Sequence, residues 1–268
     1  MISQITSYPE LMEHIANAKK RAQGLHFATN CYPDPEKTSY WTATGLWAEH
    51  SASGLLLWRH DQKCWHLYYA GPATSTQKMV QSAQFDTTSQ PVVVDIVTKN
   101  PDEPILHDLY TTGFRKHTTL TRMIQTTPSN ANPVHPPGIR TATQMDQSSI
   151  IEIMDAVFDP LAEQIPSPAE LDTALRNGKI LVNTQAGAIL SFLYHEDIPA
   201  GSHLRFWATH PRYQGMGAGS ALLDTYLSST PVQKHTLWVI ATNETAISSY
   251  RKRGYTPDGL LDIVLVRK

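Results

Sequence analysis

Apolar residues follow two different spacings in the C-terminal half of the chain. Short apolar runs at residues 204–209 and 237–241 are typical of strands. Apolar residues at helical spacing mark residues 150–157, the segment that follows Gly219, and residues 246–252. This alternation of strand and helix patterns predicts a mixed α+β fold.

Cap and turn residues divide the rest of this half. Asp146 and Ser167 are suited to cap two helices, and Gly178 is suited to end the second one. Residues 179–183 and 188–194 then predict a hairpin around a four-residue turn.

The N-terminal half shows a similar mixture of patterns. A first helix is predicted from Pro9 to near Gly24, and an aromatic, polar stretch follows it. The strand candidates are residues 54–59, 64–69, 91–97 and 115–124, and the further helix candidates are residues 76–84 and 103–112.

A glycine-rich turn, Gln214-Gly215-Met216-Gly217-Ala218-Gly219, separates the strand at 204–209 from the next helix. A turn of this kind exposes unpaired backbone N–H groups at the positive end of a helix, so it can bind phosphate oxygens. It is not a P-loop, because no G-x-x-x-x-G-K-[ST] occurs. It is not a dinucleotide-binding turn either, since it lacks the third glycine and does not open a βαβ unit. An ordinary tight turn is the alternative interpretation.

A second motif follows about thirty residues later. Asn243, Ala246, Tyr250, Gly254 and Tyr255 form the pattern N-x-x-A-x-x-x-Y-x-x-x-G-[FY]. Together with Q-x-x-G-x-G in the glycine turn, this pattern resembles the GNAT superfamily of acyl-CoA N-acyltransferases. The resemblance covers residues 139–268, about half of the chain.

The resemblance implies a site for an acyl-CoA. In this family the pantetheine arm binds as an extra strand along a splayed edge of the sheet, and the pyrophosphate binds the glycine turn. The family tyrosine, here Tyr250, faces the CoA sulfur and donates a hydrogen bond to the departing thiolate. The implied cofactor-binding residues are Trp207, Ala208, Thr209, Gln214, Gly215, Met216, Gly217, Ala218, Gly219, Ser220, Asn243 and Tyr250. A core position for Tyr250 and a helix cap for Asn243 are the plainer interpretations.

The group that removes a proton from the acceptor amine carries no clear signature. The family's acceptor site lies beside the first two helices, at places held here by Phe158, Asp159, Glu163, Gln164, Tyr194, His195 and Glu196. Glu196 is the predicted base, and His195 and His203 are alternatives. Each of the three also suits a solvated loop, and a base that acts through ordered water leaves no mark in the sequence.

The N-terminal half is interpreted as a degenerate copy of the same fold. Gly113-Phe114 corresponds to Gly254-Tyr255, and each pair follows a strand and a helix. No glycine-rich loop lies between the strand at 64–69 and the helix that follows. An unrelated α+β domain is the alternative. The predicted fold is therefore a GNAT-like, mostly antiparallel sheet flanked by helices, in two tandem domains at 1–127 and 138–268, joined by a Pro-rich linker at 128–137.

Composition limits the classes of partner. The 268 residues carry a net charge of −2, which argues against long-range attraction to nucleic acid or to acidic membranes. Cys31 and Cys64 offer no metal-ligand spacing, and the twelve histidines form no metal motif. The chain contains no apolar stretch of about 18 residues and no signal-peptide pattern at residues 1–8. A cytoplasmic enzyme without a metal is the expectation.

We therefore predict an N-acyltransferase that uses acetyl-CoA or another acyl-CoA as co-substrate. The acceptor is expected to be a primary amine of a small or amino-acid-like molecule that attacks the thioester directly, with Tyr250 as general acid to the thiolate. The alternative is a catalytically silent protein that binds CoA or acyl-CoA as a sensor or regulator. A protein acceptor is a third interpretation, weakened by the absence of a strongly acidic patch.

Overall fold

The chain forms two compact units. A computed structural model describes residues 2–87, 90–126, 136–199, 201–230, 232 and 234–268. The first unit consists of Met1–Thr119 together with Leu261–Lys268, and the second consists of Leu120–Leu260. Most of the predicted linker at 128–137 lies outside the described residues.

The first unit is a sheet with helices on both faces. Its elements are β1 (Ile2–Gln4), α1 (Tyr8–Arg21), β2 (Phe27–Thr29), α2 (Pro35–Thr44), β3 (Leu46–Ser51), β4 (Gly54–His60), β5 (Trp65–Pro72), α3 (Thr76–Gln81), β6 (Val92–Thr98) and α4 (Pro104–Thr111). The strand order is β1-β3-β4-β5-β6, and β2 lies beside β5. Alternate residues of β4 face opposite sides, so Leu55 packs with α1 while Leu56 packs with α3 and α4.

The second unit repeats this plan. The chain continues with β7 (Arg115–Gln125), β8 (Ile139–Thr141), α5 (Gln147–Val157), α6 (Pro168–Arg176), β9 (Ile180–Gln185), β10 (Ala188–Ile198), β11 (Gly201–Thr209), α7 (Ala218–Ser229), β12 (His235–Ile240), α8 (Glu244–Arg251) and β13 (Thr256–Arg267). Residues 115–119 of β7 and 261–267 of β13 belong to the first unit. The strand order is β7-β12-β11-β10-β9-β8. Helices α5 and α6 cover one face, and α7 and α8 cover the other.

The two units exchange their last strands. Residues 261–267 of β13 pair antiparallel with β6 in the first unit, and residues 120–125 of β7 pair antiparallel with β12 in the second. Each described sheet contains one parallel pair, β5 with β6 and β11 with β12, at the same place in the order. The predicted α+β fold and the mostly antiparallel sheet are confirmed.

The division of the chain differs from the predicted domains, 1–127 and 138–268, which follow the order of the sequence. The end of β7 lies in the second unit and the end of β13 lies in the first. Both strands follow a helix and a Gly-aromatic pair, so local sequence carries the same signal for each of them. Which sheet edge receives each strand depends on long-range pairing.

Capping side chains set the helix starts around the second sheet. Ser167 Oγ accepts a hydrogen bond from Glu170 N at 3.2 Å, and Pro168 occupies the first turn of α6. Asp146 acts differently from the prediction, because its carboxylate closes a capping box with Thr143 in the turn before α5 instead of capping α5 itself. The same carboxylate pairs with Arg140 at 2.7 Å.

Helix α2 was not predicted, although its start carries a clear cap. Asp34 Oδ1 accepts a hydrogen bond from Lys37 N at 2.8 Å, and Pro35 begins the helix. Its interior has no apolar stripe, and Thr38 is the residue of α2 that is buried. Because the prediction relied on apolar spacing, it found an aromatic, polar stretch in place of a helix.

Leu265→Ala tests the strand exchange. Leu265 is fully buried in the core of the first unit, so its truncation should lower the free energy of unfolding by about 2–5 kcal/mol. Amide hydrogen exchange should accelerate in β6, because Leu265 pairs with Val94, while β12 keeps its protection. Val97→Ala, at a half-exposed position of β6, is the matched control and should cost less than about 1 kcal/mol. Loss of protection in β12 alone would contradict the exchange.

Candidate active site

Strands β11 and β12 pair over a short distance and then part. Their parallel register runs from Ser202 opposite His235 to Leu204 opposite Leu237. On its other edge, β11 remains paired with β10 as far as Thr209. Within the described part of the chain, residues 205–209 therefore present one backbone edge without a strand partner. Unpaired backbone groups of this kind are a template for an extended ligand.

A β-bulge lies where the two strands part. The register of β11 against β10 shifts by one residue after Leu204, and Arg205 is the additional residue. Leu204 packs with the core beneath α7, whereas Phe206 packs with the core beneath α5 and α6. Trp207 faces the α7 side, where its indole Nε1 donates to Gly219 O at 2.9 Å. In a regular strand Leu204 and Phe206 would share a face, so the bulge places these two side chains on opposite faces of the sheet.

The glycine turn has the predicted shape. Gly215 and Gly217 have φ angles of 80° and 79°, a left-handed conformation that favours glycine. A Cβ on either residue would meet no atom within 4 Å, so the requirement is conformational. Gly219 is different, because its Cβ would lie 2.4 Å from Thr209 Oγ1. That glycine lets α7 pack closely against β11.

The first amides of α7 are open to an anion. Ala221 N makes the first bond of the helix, to Gly217 O at 3.0 Å. The amides of Ala218, Gly219 and Ser220 have no carbonyl partner inside the helix, as in every first turn. Their N–H groups and the positive end of the helix dipole meet at the turn.

Tyr250 lies on α8, beside the open edge of β11. Its ring packs against Trp207 with 5.3 Å between the centroids, and against Tyr255 at 5.6 Å. Burial raises the pKa of the phenol, and the negative charge of Glu163 raises it further, while Arg253 acts in the opposite direction. Tyr250 is therefore a protonated hydroxyl at neutral pH and can act as a hydrogen-bond donor.

Asn243 caps α8, which is the plainer of its two predicted roles. Its Oδ1 accepts a hydrogen bond from Ala246 N at 3.1 Å. A cofactor contact through the remaining amide N–H groups stays a prediction. Arg253 links α7 and α8, since its guanidinium pairs with Asp224 at 2.6 Å and donates to Ser220 O at 3.2 Å.

Glu196, the predicted base, is part of an ion-pair network around Arg205. Arg205 Nη1 donates to Glu196 Oε1 at 2.7 Å and to Glu170 Oε1 at 2.5 Å, and its guanidinium lies over the Tyr194 ring. The network is largely buried, with 14% of the Arg205 side chain exposed. Glu196 Oε1 thus already accepts a hydrogen bond from a largely buried cation. The role of Glu196 as base stays a prediction, and this geometry argues against it.

The two histidine alternatives lie elsewhere. His195 is partly buried against Tyr226, and its Nδ1 has no hydrogen-bond partner among the described residues. Burial lowers the pKa of His195 to about 4, so the ring is neutral at pH 7. His203 Nδ1 lies 2.9 Å from Thr236 Oγ1, at the end of β11 where the strands are still paired.

Glu163 is the acceptor-side carboxylate that the sequence did not single out as a base. It lies between α5 and α6, where its Oε2 accepts a hydrogen bond from Asp159 N at 3.1 Å. Burial raises the pKa of Glu163 to about 7, the hydrogen bond from the Asp159 amide acts in the opposite direction, and the charge of the Asp159 carboxylate adds to the rise. A glutamate whose pKa is raised in this way has no sequence signature, because the effect comes from tertiary burial.

The corresponding edge in the first unit is filled by the chain itself. Strands β5 and β6 pair only at Trp65 opposite Val92 and His66 opposite Val93. Beyond that point β2 pairs antiparallel with β5, from Phe27 opposite Pro72 to Thr29 opposite Ala70. Since β4 occupies the other edge of β5, β2 takes the edge that is open in β11.

The residue after β2 closes the gap between β5 and β6. Asn30 Nδ2 lies 3.2 Å from Leu67 O and 3.3 Å from Asp95 O, and Asn30 Oδ1 accepts from Tyr69 N at 2.8 Å. One side chain thus satisfies backbone groups on both strands. The first unit has the same splay as the second, but β2 occupies the edge of β5 that corresponds to the open edge of β11.

Two negative findings concern the described residues only. No group of three or more His, Cys, Asp or Glu side chains is placed to hold a metal ion. No helix in that part of the chain combines the length and apolar character needed to span a bilayer.

Comparisons with known proteins agree with this geometry. Residues 152–255 match the model of the Acetyltransferase (GNAT) family. A GCN5-related N-acetyltransferase from Sphaerobacter thermophilus has 15% identity and a TM-score of 0.63, covering 99% of this chain and 95% of its own. A tandem GNAT protein from the clavulanic acid biosynthesis pathway has 12% identity and a TM-score of 0.60, covering 99% and 97%. A GNAT-family acetyltransferase from Colwellia psychrerythraea has 12% identity and a TM-score of 0.57, covering 99% and 98%.

The comparison with curated protein sequences gave no match. The structural similarities, all below 25% identity, concern the fold, and they extend it over both halves of the chain. The predicted GNAT resemblance, the tandem arrangement of the fold and the assignment as a GNAT-type acyltransferase are confirmed.

Gly217→Val should weaken CoA binding. At a φ of 79° a β-branched residue is strained and distorts the turn that presents the amides. Calorimetry should give one CoA per chain for the parent protein, because β2 fills the corresponding edge in the first unit. The variant should bind at least about 10-fold more weakly, since each 1.4 kcal/mol lost is tenfold.

Gly187→Val is the matched control for this experiment. Gly187 has a φ of 83° and open space around its Cβ, but it lies in the β9–β10 turn. The control should lose similar stability and keep CoA affinity. Unchanged affinity in folded Gly217→Val, or two CoA molecules per chain, would contradict the assignment.

Proposed function

We propose that the GNAT acetyltransferase domain in the C-terminal half of this chain transfers an acetyl group from acetyl-CoA to a primary amine. The observation that carries the proposal is the open edge of β11, which has the glycine turn at one end and the Tyr250 hydroxyl beside it. An edge strand, an anion cradle and a proton donor are the three features that binding and cleaving an acyl-CoA thioester requires.

The cofactor would lie along the open edge. The amide groups of pantetheine would pair with backbone groups of Trp207, Ala208 and Thr209, continuing the sheet. The pyrophosphate would then reach the amides of residues 215–220 at the start of α7. Gln214 carries no charge, so most of the attraction for phosphate comes from backbone groups.

Tyr250 would act on the leaving group. The hydroxyl is protonated at neutral pH because burial raises its pKa, and it can donate to the sulfur as the thiolate forms. A donor aimed at a charge that develops only in the transition state raises the rate without tightening substrate binding.

The acceptor side favours a cationic amine. Arg205 is shared by Glu170 and Glu196, so this network carries one excess negative charge, and Glu163 adds an ionisable carboxyl close by. A protonated amine is attracted to such a site, whereas a carboxylate beside the amine is repelled. A small-molecule acceptor and a cytoplasmic location remain predictions from the sequence.

An assay of thiol release from acetyl-CoA across an amine panel tests the function. The panel should contain 1,4-diaminobutane, phenethylamine, glycine and lysine, and mass spectrometry should identify the N-acetyl product. We expect diamines to react faster than α-amino acids because of the negative acceptor side. Intact acetyl-CoA binding without thiol release for any amine would favour the silent sensor instead, an alternative supported by the ion-paired state of Glu196.

Tyr250→Phe should lower turnover more than acetyl-CoA affinity. Loss of one donor to a developing charge typically costs about 2.7–4 kcal/mol, or roughly 100- to 1000-fold in rate. The ring is kept, so the melting temperature should stay near that of the parent. Tyr110→Phe, at a partly exposed tyrosine of the first unit, is the control and should change neither quantity. A rate within about twofold of the parent, with chemistry rate-limiting, would make Tyr250 structural.

A further inference from the structure

The chain segment that carries Glu163 is bonded to β11 at the point where β11 parts from β12. The next residue, Gln164, accepts a hydrogen bond through its carbonyl oxygen from Arg205 Nη2 at 3.2 Å, and Arg205 is the bulge residue of β11. Two residues further along β11, Trp207 packs against the Tyr250 ring. The chain segment around Glu163 is therefore tied to one side of the open edge, and Tyr250 stands on the other side.

The charge of Glu163 reaches the reacting centre. After burial, it is the largest cause of the raised pKa of the Tyr250 phenol. Charges act on one another more strongly where solvent screens them poorly. The segment that carries Glu163, bonded to Arg205, and Tyr250, packed on Trp207, therefore flank the place where a thioester bound along the β11 edge would meet an amine.

Glu163 differs from the other acceptor-side glutamates in its partners. Glu170 and Glu196 both pair with Arg205. In the described residues Glu163 has no cation within ion-pair distance, and its single hydrogen bond comes from the backbone of Asp159. Paired carboxylates hold their charge firmly, whereas an unpaired, partly buried carboxylate takes up a proton easily.

We propose that Glu163 is the group that accepts the proton of the acceptor amine. The proposal rests on the acetyl-transfer function proposed above and replaces Glu196 in that role. The acceptor arrives as an ammonium ion, and burial raises the pKa of Glu163 to about 7, closer to the pKa of an alkylamine. The two pKa values approach each other, which favours proton transfer near neutral pH.

The proton and bond changes balance as follows. The Glu163 carboxylate takes one proton from the ammonium, and the freed lone pair attacks the thioester carbon. The C–N bond forms, the C–S bond breaks, and the thiolate takes the Tyr250 proton. The second proton leaving nitrogen returns to the Tyr250 oxygen through water. Glu163 finally releases its proton to solvent, so each turnover yields the N-acetyl amine, CoA thiol and one proton.

Glu163→Gln tests the proposal through the pH profile. With 1,4-diaminobutane, or the amine of the panel that reacts fastest, kcat/KM of the parent should rise with pH and level off above about pH 7 as Glu163 ionises. The variant should lose this inflection and about 100-fold or more in kcat, with unchanged affinity for acetyl-CoA. Glu163→Asp should restore part of the rate together with the inflection.

Two comparisons separate proton transfer from other roles. Glu152→Gln makes the same change at an exposed position of α5 and should keep the parent profile. A Glu163→Gln variant that keeps the inflection, or that raises KM for the amine while kcat is unchanged, would overturn the proposal, because Glu163 would then bind the amine without accepting its proton.

Carbon-13 NMR of the glutamate carboxyl groups gives a readout that does not depend on turnover. The resonance that disappears in Glu163→Gln should titrate near pH 7 in the parent, and a midpoint near 4.5 would contradict the proposal. If the parent transfers acetyl to no amine, the proposed function fails whatever the titration shows. If the parent is active and Glu163→Gln keeps its pH profile, only the role of Glu163 fails.

Discussion

The parting of β11 from β12 is the constraint on which the rest of the site depends. Parallel strands that separate leave backbone N–H and C=O groups that must find another partner. The bulge at Arg205 begins the separation, and the close contact allowed by Gly219 holds α7 against the far end of β11. The proposed roles of the glycine turn and of Tyr250 depend on this edge, because the turn lies at its end and Tyr250 lies beside it. Without the open edge, the glycine turn would be an ordinary helix N-terminus, with no extended ligand placed beside it.

In the first unit, a few residues are enough to close the corresponding edge. Its strand order and its single parallel pair match those of the second unit. There β2 pairs with the free edge of β5, and the Asn30 side chain bridges the gap to β6. These few residues satisfy the backbone groups that the second unit leaves open. The fold is therefore present twice, while its extended binding edge is open in one copy.

Charge on the acceptor side is organised by one buried cation. Arg205 pairs with Glu170 and Glu196, and it also bonds the carbonyl oxygen of Gln164, beside Glu163. Arg205 therefore acts as a positioning residue for the segment that carries Glu163. Glu170 and Glu196 pair with Arg205, whereas Glu163 has no ion-pair partner among the described residues. Burial is therefore the main cause of the raised pKa of Glu163. This division separates the structural carboxylates from the one proposed to move a proton.

The sequence by itself determined the glycine turn, the second motif and most helices and strands, because turn chemistry and apolar spacing are local properties. It also indicated the repeated fold through Gly113 and Gly254. Tertiary structure alone decided that β7 and β13 change places, since both strands carry the same local pattern. It also decided that Glu170 and Glu196 pair with Arg205 and that Glu163 is largely buried without such a pair. The physical reason is that strand partners, ion pairs and desolvation depend on residues far apart in the chain, and no local pattern encodes them.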